Sequence, residues 1–372
     1  KTLWTYKGES EGYLTPSLLR DTDGTLNILI AAYNSPEIVC LSPEGEQKWR
    51  YIGGAPINHA VGVGNINDDP HPEIVAAIPK EQILIALSAD GILEWRVRLP
   101  GEPSTYHPQC HWTRPELADL NNDGRNEIVY ADIHGLVTCL SGAGKTLWSK
   151  QISEKPCDRP ISIGNVCRDG NPEILVGDEG GTFHCLSSAG AVIWEASLES
   201  EITARPVMES VEPDAPVSLF VATRSERLHK LTPGGDIEWS AELGGTMDLG
   251  SGIVLTDLDK DGKKEILAST RNHELIAFNA SGKVLWRVET GAQIRSIPAI
   301  GDVDRDGEDE ILIGSADWLL YCIDTHGNIE WTVKVGNRVD ASPLLADLNS
   351  DGIQEIILPA RGGAIRAFSA AP

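Results

Sequence analysis

Four short acidic loops carry the pattern in this sequence that most plainly suggests metal chemistry. Each loop reads D-x-[DN]-x-D-G-x-x-E, so oxygen-bearing side chains alternate and a glycine lets the chain turn sharply after the third. Alternate oxygens on such a turn converge on one point, as hard oxygen ligands do around calcium. The predicted ligands of structural Ca2+ are Asp119, Asn121, Asp123 and Glu127; Asp257, Asp259, Asp261 and Glu265; Asp302, Asp304, Asp306 and Glu310; and Asp347, Asn349, Asp351 and Glu355.

Other copies of this loop are incomplete. They contain, in chain order, Asp21 and Asp23; Asn65, Asn67, Asp69 and Glu73; and Asn165, Cys167, Asp169 and Glu173. The corresponding segment of the fifth repeat, residues 209–218, has lost the pattern. The alternative interpretation of every copy is a plain Asp-Gly turn, which needs no metal.

A second group of reactive residue types lies in one irregular segment, residues 102–114. It gathers Tyr106, His107, His111, Trp112 and Arg114 within a few positions. Equivalent segments of neighbouring repeats contribute further candidates, which are His59, Arg159, Arg205 and Arg295. Because arginine recognises carboxylates through two parallel hydrogen bonds, this group predicts a pocket for an anionic ligand. Alternatively, each arginine pairs with an acid of the next repeat, and the histidines are structural, as we expect for His71, His134, His184, His229, His273 and His326.

Cysteines offer two further possibilities. Cys110, Cys157 and the nearby His107 and His111 could hold zinc, although no CxxC or HxxxH spacing supports it, or the two cysteines could form a disulfide. Four others share one repeat position, where we expect small buried residues, namely Cys40, Cys139, Cys185 and Cys322.

The element that must position these groups is an internal repeat of about 46 residues, visible in the spacing of tryptophan. Eight of ten tryptophans recur at intervals of 45, 46, 53, 46, 45, 47 and 45 residues: Trp4, Trp49, Trp95, Trp148, Trp194, Trp239, Trp286 and Trp331. Between them lie four short apolar runs separated by Gly, Asp and Asn turns, which is the pattern of a four-stranded propeller blade. The sequence therefore predicts an all-β fold, a single eight-bladed β-propeller.

The two ends of the chain complete one repeat between them. The chain stops where a third strand should lead into a Trp strand, and it begins with such a strand, so we expect residues 1–8 to form the outer strand of the last blade and close the ring. We predict one domain, 1–372, with blades beginning near 13, 58, 112, 158, 203, 249, 294 and 340. In a propeller, the segments that lead into the inner strands face the central pocket, and the acidic loops lie on the opposite face.

Composition excludes some partners. The net charge of −24 argues against nucleic acid, which needs a basic surface. No apolar run approaches the roughly 18 residues of a membrane span. No signal-like segment stands at Lys1, so we expect that a signal peptide either has been removed or never existed. We also expect a monomer without an organic cofactor.

The DxDxDGxxEI loops, the SxP inner strands and the GxxxW outer strands together resemble the FG-GAP and quinoprotein-like propeller repeats over the whole chain. Among enzymes with such blades, the chain resembles propeller polysaccharide lyases, including those acting on rhamnogalacturonan, ulvan and rhamnose–glucuronate chains. The resemblance implies β-elimination of a uronic-acid-containing glycan. It makes His59, Tyr106, His107 and His111 candidate acid–base residues, and Arg114, Trp112, Arg159, Arg205 and Arg295 candidate substrate ligands.

Competing interpretations remain open. We predict a polysaccharide lyase that acts on an acidic polysaccharide or oligosaccharide. The main alternative is a non-catalytic, calcium-stabilised propeller for glycan or protein binding or adhesion. Glycoside hydrolysis would use Asp158, Asp248 and Asp340 as acid and base. A quinoprotein dehydrogenase would need a calcium and a quinone in the central pocket, and the sequence has neither the vicinal cysteines nor the added segments expected of one. The acidic loops count against an outer-membrane assembly scaffold. Calcium loops favour a secreted or periplasmic location.

Overall fold

A computed structural model describes residues 1–8, 14–32, 35–57, 60–101, 114–157, 159–209, 217–247 and 251–369. It contains eight antiparallel sheets of four strands each, arranged around a ring. The predicted eight-bladed propeller is therefore confirmed. Apart from one 3-10 turn at Pro79–Glu81, no helix occurs in the described ranges.

Each blade runs from an inner to an outer strand. The inner strands are β2 (Leu14–Arg20), β6 (Gly62–Gly64), β10 (Glu116–Ala118), β14 (Ser162–Gly164), β18 (Val207–Glu209), β22 (Ile253–Thr256), β26 (Ala299–Gly301) and β30 (Leu344–Ala346). The second strands are β3 (Leu26–Ala32), β7 (Glu73–Ile78), β11 (Glu127–Ala131), β15 (Glu173–Gly177), β19 (Ser218–Thr223), β23 (Glu265–Ser269), β27 (Glu310–Gly314) and β31 (Glu355–Ala360).

The outer half of each blade repeats as regularly. The third strands are β4 (Glu37–Leu41), β8 (Ile83–Leu87), β12 (Leu136–Leu140), β16 (Thr182–Leu186), β20 (Arg227–Leu231), β24 (Glu274–Phe278), β28 (Leu319–Ile323) and β32 (Ala364–Phe368). The outer strands are β5 (Gln47–Ile52), β9 (Leu93–Arg98), β13 (Thr146–Gln151), β17 (Val192–Ser197), β21 (Ile237–Glu242), β25 (Val284–Glu289), β29 (Ile329–Lys334) and β1 (Thr2–Lys7). Blades 1 to 8 are numbered by the chain order of their inner strands.

The N-terminal strand closes the ring. Blade 8 has the order β1-β32-β31-β30, so β1 forms its outer strand. The main chains of Lys1 and Ser369 are also hydrogen-bonded to each other. This confirms the predicted closure and leaves the third strand of blade 8 paired on both sides.

Apolar side chains from the second and third strands fill the space between neighbouring blades. These strands are almost wholly buried, as in Glu73–Ile78 of blade 2. The four cysteines of the shared repeat position are buried, as predicted. Burial raises the pKa of Cys40, Cys139 and Cys185 to about 12, so these thiols are structural and unreactive.

The tryptophan ladder links each blade to the next. The Trp49 indole N–H donates to the Ala89 carbonyl of blade 2 at 2.9 Å, and its ring lies against Gly91 of the same turn. A Cβ on Gly91 would come within 2.5 Å of that ring, and the glycine has φ +76°. Among the described residues the contact occurs at seven junctions, with the pairs Trp4–Gly45, Trp49–Gly91, Trp95–Gly144, Trp148–Gly190, Trp194–Gly235, Trp239–Gly282 and Trp286–Gly327. The repeat thus consists of residues that join blades as well as residues that fill them.

Candidate functional site

The front face carries the segments that lead into the inner strands, and an arginine cluster lies there in blades 3 to 5. Arg114 precedes β10 and its Nε is 2.7 Å from Oε1 of Glu116, the first residue of that strand. Arg205 precedes β18, two blades further on, and its Nη2 is 3.3 Å from Oε2 of the same Glu116. Its Nε also donates to the Ser162 hydroxyl of blade 4 at 3.1 Å. Burial lowers the pKa of Arg205, and Glu116 opposes that shift.

A second carboxylate of this cluster also binds two arginines. Nη2 of the buried Arg159 lies 2.8 Å from Oε1 of Glu201, and Arg224 approaches both oxygens of Glu201 at 2.5 and 2.7 Å. Although burial opposes the shift, the two guanidinium groups lower the pKa of Glu201, which is therefore ionised. We call Arg114, Glu116, Arg159, Glu201, Arg205 and Arg224 the arginine cluster. Its six side chains supply four positive and two negative charges, in a chain whose net charge is −24.

The remaining predicted arginine lies in a different sector. Arg295 leads into β26 of blade 7, and its Nε donates to the side chain of Gln293 at 3.3 Å. In blade 8, Arg338 Nη2 lies 3.0 Å from Oδ1 of Asp340, whose side chain is almost fully buried. Oδ2 of Asp340 has no hydrogen-bond partner among the described residues. The alternative that each arginine pairs with an acid of the next repeat thus holds for Arg159. Arg114 and Arg205 pair with Glu116, which lies in the repeat of Arg114 and two repeats before Arg205. The role of these arginines toward a ligand stays a prediction.

The predicted acid–base residues fall outside the described part of the chain. These are His59, Tyr106, His107 and His111, together with the predicted stacking residue Trp112 and the acids Asp158 and Asp248. Cys110 is also outside it, whereas Cys157 is buried. The catalytic assignments, the zinc site and the disulfide therefore stay predictions.

The back face carries the acidic loops, which join the inner to the second strands. In blade 6, oxygens of Asp257, Asp259 and Glu265 lie within 4.8 Å of one another, and in blade 7 those of Asp302, Asp304 and Asp306 do. Main-chain N–H groups hold these loops in shape: Asp257 accepts from Asp261 at 3.1 Å and from Gly262 at 2.9 Å. In both loops, three hard oxygen donors face one small space, which suits a divalent cation such as Ca2+.

Two of the four predicted calcium loops have an asparagine amide facing their carboxylates. Nδ2 of Asn121 donates to Glu127 at 2.9 Å and to Asp123 at 3.2 Å. Asn349 makes the same pair of contacts in blade 8, with Glu355 and Asp351. The aspartates at this position, Asp259 and Asp304, have no N–H to donate. Accordingly, burial and the nearby Asp304 raise the pKa of Glu310 to about 7.

In blade 1, a lysine stands beside the remnant of the loop. Asn27 takes the place of the glutamate, and Nζ of Lys48 lies 3.2 Å from its Oδ1 and 3.1 Å from Oδ2 of Asp21. Lys48 directly precedes the ladder residue Trp49. In blade 1 an ammonium group of the protein thus contacts Asp21, one of the two aspartates that remain.

Three features of the front face were not predicted from the sequence. Glu116 and Glu201 bind the arginines, yet a lone glutamate before or within a strand carries no signal. Trp318 is a 45% exposed tryptophan in the turn between β27 and β28. A signal existed for Trp318, because eight of the ten tryptophans belong to the ladder and Trp318 does not.

The chain matches two sequence models of known protein families. A sequence model described as the lambda-carrageenase beta-propeller domain matches residues 74–159, 227–300 and 298–346, which is more than half of the chain. The chain belongs to the λ-carrageenase β-propeller family. The first match includes Arg114, Glu116 and Arg159, and the other two include the acidic loops of blades 6 and 7. A second model, described as outer membrane protein assembly factor BamB, matches residues 133–212.

Solved structures similar to this λ-carrageenase-family propeller agree with its fold. BamB from Moraxella catarrhalis is 18% identical, with a TM-score of 0.69 over 99% of this chain and 96% of that one. The V. cholerae biofilm matrix protein Bap1 is 14% identical, with a TM-score of 0.75 over 100% and 91%. The quinohemoprotein alcohol dehydrogenase from Comamonas testosteroni is 11% identical, with a TM-score of 0.75 over 99% and 76%. At such identities the similarity shows the fold alone.

No curated protein sequence matches the chain. In the described ranges, no helix has the length and apolar character needed to cross a membrane.

Proposed function

We propose that this propeller recognises and cleaves an anionic polysaccharide at the centre of its front face. The observation that carries the proposal is the arginine cluster, in which each of two carboxylates binds two guanidinium groups. A carboxylate or sulfate of the ligand can accept further hydrogen bonds from Arg114 and Arg205, whose side chains are 33% and 37% exposed, since guanidinium presents five N–H donors. Membership of the λ-carrageenase family supports a charged glycan as the ligand.

The reaction predicted from the sequence is β-elimination. An arginine would neutralise a uronate carboxylate and so acidify the adjacent proton, and two residues of the set His59, Tyr106, His107 and His111 would remove that proton and protonate the leaving oxygen. Arg114 is directly continuous with the segment that holds three of these residues. Cleavage of a polysaccharide is also in keeping with a secreted or periplasmic location, which we propose for the chain.

Hydrolysis is a second candidate, favoured by the family match. A glycan without a carboxylate beside the ring proton offers no acidified proton for β-elimination, so a propeller acting on such a glycan would cleave it by hydrolysis. Asp340 is a candidate acid because it is buried and one of its oxygens is unpartnered among the described residues. Asp158 and Asp248 would supply the second carboxylate.

The test combines binding and product analysis. Wild-type protein would be incubated with pectic, ulvan, gum arabic, alginate and λ-carrageenan polymers, and affinity, ultraviolet absorbance of unsaturated products and new reducing ends would be measured. Arg205→Gln is expected to weaken binding by about 10- to 100-fold, the loss of a charged hydrogen-bonded contact. The matched control is Arg287→Gln, which breaks the Arg287–Glu274 pair on the outer part of blade 6.

Each outcome has a separate meaning. Unsaturated product that is lost in His107→Ala and His59→Ala indicates a lyase, and reducing ends without unsaturated product indicate a hydrolase. Binding without cleavage leaves a glycan-binding propeller. Failure of every polymer to bind, or equal weakening by Arg205→Gln and Arg287→Gln, contradicts the proposal.

We also propose that Ca2+ occupies the loops of blades 6 and 7 and has a structural role. The supporting observation is the difference between loops: an amide of Asn121 or Asn349 faces the carboxylates in blades 3 and 8, and Lys48 does so in blade 1. Asp259 and Asp304 bring no N–H donor to their oxygen groups, so a cation would complete these groups, although Nζ of Lys263 lies 3.2 Å from Oδ2 of Asp261 in the blade 6 loop. Calcium in blades 3 and 8 stays a prediction.

A further inference from the structure

Trp318 differs from the ladder tryptophans in position and exposure. It ends the turn between β27 and β28, on the front face of blade 7, and 45% of its surface is exposed. A large aromatic side chain in that position leaves apolar area in contact with water, which costs free energy unless something covers it.

The backbone of Trp318 is also unfavourable for this residue type. Its φ is +76°, in the left-handed region that a bulky L residue rarely adopts. The equivalent turn position is glycine in three other blades, at Gly135, Gly181 and Gly363. A left-handed φ also occurs at this turn position at Gln82, Glu226 and His273, so it is a property of the turn, and glycine would fit it better than tryptophan.

The turn is nevertheless held rigidly. Asp317 accepts hydrogen bonds from the main-chain N–H groups of Leu319 at 3.0 Å and Gly291 at 2.9 Å, and from the hydroxyl of Tyr321. The Trp318 carbonyl accepts from the N–H of Val335 at 2.9 Å. A turn whose backbone is already ordered loses little conformational freedom when a ligand contacts it.

A positive charge lies beside the ring. Nζ of the exposed Lys334, the last residue of β29, is 5.9 Å from the centroid of Trp318. An aromatic face next to an ammonium group matches a sugar residue that has an apolar C–H face and a charged substituent. We propose that Trp318 and Lys334 form an outer subsite for one anionic sugar residue of the polysaccharide, whose other residues contact the front face nearer its centre. This inference rests on the proposed function and assigns it a second contact region.

The test uses the fact that glycine relieves the strain. Trp318→Gly is compared with His273→Gly, a matched control at the same turn position of blade 6, where φ is +69°. Dissociation constants would be measured by calorimetry for di- to dodecasaccharides of λ-carrageenan and of oligogalacturonate. We expect Trp318→Gly to weaken binding of the longest oligosaccharides by about tenfold and to leave the disaccharides unchanged. His273→Gly should bind all of them as the wild type does.

Measurements of thermal stability distinguish a ligand-binding role of Trp318 from a structural one. The melting temperature of both glycine variants should be equal to that of wild type or up to about 1–2 °C higher, because glycine removes the free-energy cost of the left-handed backbone conformation. A clear fall in Trp318→Gly alone would mean that the ring stabilises the fold, and it would overturn the subsite. Lys334→Gln, at an exposed position, should weaken the long oligosaccharides several-fold at low salt and less at high salt.

The outcomes also separate this inference from the proposed function. If Arg205→Gln loses affinity and Trp318→Gly binds long oligosaccharides as wild type does, the subsite is wrong and the proposed function stands. Equal weakening of short and long oligosaccharides by Trp318→Gly would also refute the subsite. If wild type binds neither series, both are refuted.

Discussion

The contact between Trp49 and Gly91 allows a direct measurement of what the tryptophan ladder contributes. We consider the substitution Gly91→Ala, which places a methyl group within 2.5 Å of the indole ring of the preceding blade. The control is Gly54→Ala, where φ is +80° and no atom lies within 4 Å of the added methyl. Both substitutions force alanine into left-handed backbone, and only the first also meets the ring.

The expected magnitudes follow from this difference. Left-handed backbone costs an alanine about 1–2 kcal/mol, so Gly54→Ala should lower the free energy of unfolding by about that amount. Gly91→Ala adds the cost of overpacking, about 1–3 kcal/mol, because either the ring or the turn must move. Movement of the turn would also lengthen the 2.9 Å hydrogen bond from the Trp49 indole to Ala89.

Equilibrium urea unfolding, followed by circular dichroism, gives both values if the slope of the transition stays constant. A double-mutant cycle with Trp49→Leu identifies the source of the extra cost, since Gly91→Ala should then cost no more than Gly54→Ala. Equal destabilisation by Gly91→Ala and Gly54→Ala in the wild-type background would refute the reasoning. The ladder would then be a sequence signature without an energetic role at this junction.

Two other predictions concern the metal loops and a buried histidine. Chelation should lower the melting temperature of wild type. The double variant Asp259→Asn, Asp304→Asn should show no response to chelator, because an asparagine amide then donates to the carboxylates of each loop. Scanning calorimetry with and without EDTA tests this, and a wild-type melting temperature that EDTA leaves unchanged would contradict it. Burial, followed by Arg227, lowers the pKa of His229 below 6.5, so the unfolded state gains a proton first. Stability should therefore fall below about pH 6.5 by up to about 1.4 kcal/mol per pH unit, and His229→Gln should show a smaller fall in urea titrations at pH 7.5 and 5.5.

The fold could be predicted because its signal is periodic. The ladder tryptophans occupy one strand position in every blade, and each contacts the glycine turn of the next blade at a fixed distance along the chain, as Trp49 does with Gly91. A repeat of that kind fixes strand order and blade number together. Even the split last blade could be predicted, since its missing outer strand has the same Trp pattern at the N-terminus.

The arginine cluster could be predicted only in part. Arg205 and Glu116 are 89 residues apart and belong to blades that are not adjacent, with Ser162 between them. Their contact depends on the curvature of the ring at its centre, which no local pattern encodes. The sequence therefore identified the arginines as members of one face and could not identify their acidic partners.

The acidic loops show a different limit. Asn121 and Asp259 occupy the same position of one motif, and a search for oxygen ligands treats them alike. In the structure the Asn121 amide donates to Glu127, whereas Asp259 adds a third negative charge to its group. The two loops therefore differ in their hydrogen-bond donors, and spacing does not contain that information.

The separation of the two faces also explains how an acidic protein could bind an anionic ligand. The acidic loops lie at one end of the blades and the arginine cluster at the other, and strands of five or six residues place these ends about 17–20 Å apart. At physiological ionic strength the Debye length is about 8 Å, so the back face would hardly repel a ligand on the front face. At about 0.01 M salt the Debye length reaches about 30 Å and the repulsion extends through the ring. Lowering the salt should therefore strengthen ligand binding less than it would if the four arginines acted without the acidic back face. Binding of Ca2+ to the back-face loops should restore part of this lost gain in affinity.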